Sequence, residues 1–93
     1  MRESVIEKEF VQRVKTHGGL TRKFTSPNHK GVPDRIYIRE GKTYFIEFKS
    51  TIGLLSASQI VEHRKYLDNG VTVYVIDSLH KINKFFEENL NAS

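Results

Sequence analysis

The stretch from Gly31 to Lys49, GVPDRIYIREGKTYFIEFK, decides the fold. Residues 34–39 read as a strand, with Ile36 and Ile38 on one face. Glu40-Gly41 is a tight turn, and residues 42–49 return as a second strand, so the pair predicts a hairpin. Side chains alternate along a strand, which sends Tyr44, Ile46 and Phe48 one way and Phe45, Glu47 and Lys49 the other. A turn centred on Glu40-Gly41 sets position 34 opposite position 47. The carboxylates of Asp34 and Glu47 then become cross-strand neighbours at the open end, roughly 4.5–5.5 Å apart at Cβ. Apolar residues on both faces mark the second strand as central and covered, a place where a Glu and a Lys need partners.

Working outward, residues 3–17 have helical spacing in Val5, Ile6, Phe10, Val11 and Val14, stopped by His17-Gly18-Gly19. Residues 20–25 read as a short strand, and Ser26 to Pro33 as a loop rich in turn residues. Beyond the hairpin, Ile52-Gly53 lies in a loop. Ser56-Ala57-Ser58-Gln59 has the spacing of a capping box and opens a helix that ends at Asn69-Gly70. The β-branched run 71–76 is a buried strand. Asp77 or Ser78 caps a last helix whose apolar stripe is Leu79, Ile82, Phe85, Phe86 and Leu90. The order αβββαβα predicts an α/β fold, a mixed sheet flanked by helices, in a single domain over 1–93.

Composition narrows the partners. The 93 residues lack cysteine, which excludes disulfides and thiolate zinc sites. No apolar run reaches the length of a membrane span, and residues 1–16 do not read as a signal peptide, so the expected location is the cytoplasm. The net charge is +4 and unevenly spread: residues 1–50 hold 11 Lys/Arg against 6 Asp/Glu, residues 51–93 hold 4 against 5. A basic first half suits a polyanionic partner such as DNA.

Facing carboxylates repel each other unless a cation lies between them. Oxygen donors without sulfur suit Mg²⁺, with Mn²⁺ as a substitute. Lys49, two residues past Glu47 on the same face, can orient an attacking water and balance phosphate charge.

Together, Gly31-Val32-Pro33-Asp34, Glu47-Phe48-Lys49 and the downstream Ser56-to-Gln59 segment resemble the PD-(D/E)XK nuclease superfamily, and within it the virus-type replication-repair nuclease (VRR-NUC) group. The N-terminal helix with Glu7, the Gly18-Gly19 stop and Lys23-Phe24 add to the resemblance, which spans nearly the whole chain. It implies that Asp34 and Glu47 are metal ligands, joined by the backbone carbonyl of Phe48, and that Lys49 is the catalytic lysine. Glu7 would complete the acidic cluster, directly or through water; Glu3, one turn earlier, competes for that role. Gln59 would support the site from its helix, although at N3 of a capping box it can equally bond back to Ser56.

The implied reaction is metal-dependent hydrolysis of a DNA phosphodiester, leaving a 5′ phosphate. The chain carries no base-reading module, so recognition by shape is expected, most simply of a four-way junction by a homodimer with two active sites. A flap or branch nuclease is the alternative within enzymes. A non-catalytic DNA-binding module, or a subunit of a larger repair complex, is the alternative outside them. Lys23, His29, Lys30 and Arg35 are the candidate DNA contacts. His17, His63 and His80 have no partner at metal-ligand spacing and read as surface or helix-end residues. The last helix, with Phe85, Phe86 and Leu90, could supply a dimer surface, its blander use being to cover the sheet.

Overall fold

The computed structural model describes residues 1–90, the backbone alone for Leu90. Its elements run α1 (Glu3–His17), β1 (Leu20–Lys23), β2 (Arg35–Arg39), β3 (Lys42–Phe48), α2 (Ala57–Asp68), β4 (Val73–Ile76) and α3 (Leu79–Leu90), the expected αβββαβα order. The four strands make one sheet in the order β1-β2-β3-β4. β1, β2 and β3 pair antiparallel, while β4 runs parallel to β3. The sheet is therefore mixed, with β3 central as its two apolar faces require. No helix among the described residues is long and apolar enough to cross a membrane.

The hairpin turns through Glu40 and Gly41, both at positive φ (49° and 79°), a combination whose twist matches the flanking strands. α1 and α3 cover one face. There Ile6, Phe10 and Val14 meet Tyr37, Tyr44, Ile46, Phe48, Ile76, Ile82, Phe85 and Phe86 in a single core. Phe10 sits at its centre, within 6 Å of the rings of Tyr37, Phe48, Phe85 and Phe86. Val5, expected in the α1 stripe, is half-exposed. Phe85 and Phe86 are buried against the sheet, so they are not available as a dimer surface; the side chain of Leu90 lies outside the described residues. On the other face Phe45 packs between Phe24 and Tyr66 of α2.

Four boundaries differ from expectation, the slightest being β3, which ends at Phe48 rather than Lys49. β4 begins at Val73 because the preceding residues finish α2: the amides of Asn69 and Val71 both return to the Tyr66 carbonyl. β1 stops at Lys23, although one more ladder bond joins the Phe24 amide to the Asp34 carbonyl at 2.8 Å. β2 begins at Arg35 rather than Asp34, whose side chain is committed elsewhere. Ser78 caps α3, its hydroxyl accepting the Lys81 amide at 3.2 Å, while Asp77 pairs with the Lys81 ammonium.

Candidate functional site

The end of the hairpin away from its turn gathers the polar groups. The β2–β3 register runs from Arg39 opposite Lys42 to Arg35 opposite Ile46, and one further step sets Asp34 opposite Glu47. Asp34 lies just outside the strand because its Oδ2 accepts the Phe48 backbone N–H at 2.8 Å. That bond pins the carboxylate to the backbone between Glu47 and Lys49. The Lys49 amide donates to the Ile76 carbonyl at 3.1 Å, so β4 holds the strand end on its other side.

Glu47 is 1% exposed. Its Oε2 accepts from Gln59 Nε2 at 2.9 Å. Its Oε1 has no hydrogen-bond partner and lies 3.7 Å from His63 Nε2, which is likewise unpartnered. Burial pushes the Glu47 pKa from an ordinary 4.5 up to about 8; the Asp34 charge and a proton shared with its carboxylate push the same way, against the nearby Lys49. Glu47 is thus mostly neutral at pH 7 until a positive charge arrives beside it.

The Gln59 carboxamide serves both of its expected uses at once. Its Oε1 accepts the Ser56 amide at 2.8 Å while the Ser56 hydroxyl accepts the Gln59 amide at 3.2 Å, completing the capping box. Its Nε2 remains free for Glu47. The cap of α2 therefore orients the Glu47 carboxylate. The loop before Asp34 is pressed onto the same helix start. Gly31 has φ +88°, and a Cβ there would fall 2.6 Å from the Ser58 carbonyl oxygen, so glycine alone lets the loop lie this close.

The two N-terminal acids part company. The Thr51 amide donates to the Met1 carbonyl at 3.2 Å, tying the start of α1 to the loop that follows Lys49. The charge of Glu3 bears on Glu47 from there. Glu7, a turn later, instead accepts Arg35 Nε at 2.6 Å. Arg35 and Lys23 border a separate groove on the α1 side. His29 is held against Glu62 at 2.8 Å, and Lys30 is exposed.

His63 is the neighbour of Glu47 that sequence reading missed. It is not a surface residue: its side chain is 13% exposed, and burial holds its pKa below 6.5 despite the nearby Glu62 and Asp34 charges. It follows Gln59 by four residues, hence on the same face of α2, and that spacing was the available signal. His17 stacks on Phe86 with ring centres 4.5 Å apart, and His80 is exposed.

Among the described residues no three His, Asp or Glu side chains are assembled into a ready metal cage. The site does fit a hard divalent cation: two neighbouring carboxylates and a buried Oε1 without a hydrogen-bond partner. The side-chain donors at hand are Asp34 and Glu47.

No family model matches the chain. It is similar to a protein of Acyrthosiphon pisum secondary endosymbiont phage 1 named "Putative nuclease p44", with 39% identity over 79 residues that cover 84% of this chain and 85% of that protein. It is also similar to a solved structure described as a VRR_NUC domain, with a TM-score of 0.85 and 27% identity, covering 94% of this chain and 96% of the other.

Proposed function

The chain belongs to the VRR-NUC family of nucleases, and from that premise we propose that it hydrolyses DNA phosphodiester bonds at the Asp34, Glu47 and Lys49 end of its hairpin with a divalent cation as cofactor. The observation that carries this reading is Glu47: a buried carboxylate set beside Asp34, with one oxygen unpaired and a pKa of about 8. Such an arrangement is costly for a purely structural residue and useful for binding a cation.

Asp34, Glu47 and the Phe48 carbonyl would hold Mg²⁺ or Mn²⁺, which when bound supplies Lewis-acid stabilisation of phosphate charge and eases deprotonation of water. To act as a ligand Glu47 would have to be ionised, its proton passing to solvent. Gln59 keeps the Glu47 carboxylate in one orientation, and the Phe48 amide does the same for Asp34. Lys49 orients the attacking water and offsets charge on the phosphate. Glu3, rather than Glu7, is the acid we assign to complete the cluster, since its charge reaches Glu47 and Glu7 is engaged by Arg35.

We further propose a branched substrate, a four-way junction cut by a symmetric dimer. The absence of a base-reading element among the described residues and the basic first half of the chain support recognition by shape. The apolar residues left outside the core support a contact centred on α2: Ile60, Val61 and Leu67 on that helix, and Ile52 and Leu54 in the loop before it. Cleavage of labelled duplex, flap and four-way junction substrates with and without Mg²⁺ tests the reading. Mg²⁺-dependent junction cutting is expected; no cutting of any of the three in Mg²⁺ or Mn²⁺ would sink it.

A further inference from the structure

We propose that Arg35, held in position by Glu7, forms with Lys23 and Lys8 a subsite for a backbone phosphate of the nucleic acid, on the face of the sheet opposite the Asp34–Glu47 pair. The proposal rests on the nucleic-acid reading above and adds the part of the surface that grips the strand.

Asp34 and Arg35 are consecutive in an extended segment, so their side chains leave on opposite faces. Asp34 joins Glu47 on the α2 side, and Arg35 points to the α1 side. Lys23 is directly opposite Arg35 in the β1–β2 ladder, which places two cations side by side. Like charges in that relation are unfavourable unless something negative joins them. Glu7 supplies one carboxylate, and with Ser4, Lys8 and Val11 it lines a groove of about 300 Å³ beside the two cations. Three positive side chains against one carboxylate leave an excess of two. Among the described residues neither Lys8 nor Lys23 takes part in an ion pair.

The Glu7 contact is made at Arg35 Nε, at 2.6 Å. That choice of nitrogen leaves the terminal nitrogens of the guanidinium without a partner among the described residues, while the group, 15% exposed, is fixed in direction. An oriented guanidinium fork beside two ammonium groups matches the tetrahedral, singly charged phosphate of a nucleic-acid backbone. Glu7 is then a positioning residue acting through Arg35.

The test measures binding without turnover, in the full chain carrying Lys49→Ala, on a labelled junction and a labelled duplex over a series of salt concentrations. Arg35→Gln, Lys23→Gln and Lys8→Gln are each expected to lower the slope of log affinity against log salt by about one. Arg35→Gln should weaken binding on the order of tenfold. Lys65→Gln, an exposed change on α2, should leave the slope as it was. Glu7→Gln should alter affinity while Arg35 is present and have no effect in an Arg35→Gln background. Unchanged slopes in Lys23→Gln and Lys8→Gln, with melting curves showing both folded, would overturn the subsite. A Glu7→Gln effect that persists without Arg35 would overturn the positioning role. A parent chain that binds but never cuts removes the nuclease reading and leaves the subsite standing. A parent that cuts while the slopes stay put does the reverse.

Discussion

Glu47 carries an extra proton that the folded chain holds and the unfolded chain releases, and this gives apo stability a definite pH dependence. The folded pKa is about 8 against an ordinary 4.5. Between those values the native state binds more protons, so stability falls as pH rises through the window, by about 1.4 kcal/mol per pH unit at most. His63 has the opposite shift, below 6.5, and is mostly neutral in both states above pH 7, while the raised tyrosines act only nearer pH 10, so the fall from pH 7 to 8 belongs to Glu47. In EDTA the melting temperature should drop over that range, and Glu47→Gln should flatten the drop; an equally steep drop in the variant would remove the assignment. Mg²⁺ or Mn²⁺ should raise the melting temperature, most strongly at high pH where no proton competes, and Asp34→Asn should reduce the rise. Calorimetry finding no bound metal would end that expectation. For turnover, Glu47→Ala and Lys49→Ala should each abolish cleavage in folded protein. At this scale Asp34, Glu47 and Lys49 were legible because strand alternation and a two-residue turn determine their neighbours. His63 was not, because its partner is 16 positions away in a different element and only the packing of α2 on the sheet brings them together.

The elements nearest the site do two jobs, and single substitutions can separate them. Ser56→Ala removes the hydroxyl of the α2 cap and should cost about 1 kcal/mol of stability, with cleavage largely kept because Gln59 Nε2 still reaches Glu47. Gln59→Ala removes the reciprocal bond of the cap and the Glu47 contact together, so it should lower both stability and turnover. Thermal melts and initial rates on the same two proteins would show it, and equal rates in both would mean that the Gln59 contact is only structural. The capping box was readable from Ser56-Ala57-Ser58-Gln59, and the hairpin register from Glu40-Gly41, since both are set by residues close in sequence. The choice between Glu3 and Glu7 was not readable. Helical spacing puts both on one side of α1, and only the tie between Met1 and Thr51 and the pull of Arg35 divide them.

For the whole molecule, the open question of assembly moves from α3 to α2. With Phe85 and Phe86 buried, α2 holds the largest group of outward apolar residues among the described helices, Ile60, Val61 and Leu67, against Val5 on α1 and Leu79 on α3, and Ile52 and Leu54 in the loop before α2 are about nine-tenths exposed. Light scattering at micromolar concentration should show a dimer, and Leu67→Glu should return it to 10.8 kDa monomers that still fold. A wild-type monomer that cuts both strands of a junction would dispose of the dimer. The order of elements and the sheet's mixed direction were legible from periodicity together with the turn, stop and capping residues that separate the elements. Which apolar residues remain outside was not, because periodicity marks a buried face without saying how far the opposing layer extends. Finally, the hairpin has a working end and an idle one. Its strands put the Glu40-Gly41 bend roughly 20 Å from Asp34 and Glu47, and a side chain added at Gly41 would meet open space. A fluorophore, a surface tether or a guest domain spliced in at that bend would ride clear of the cutting edge, making the bend a natural handle for turning the protein into a reagent that can be addressed to a chosen sequence.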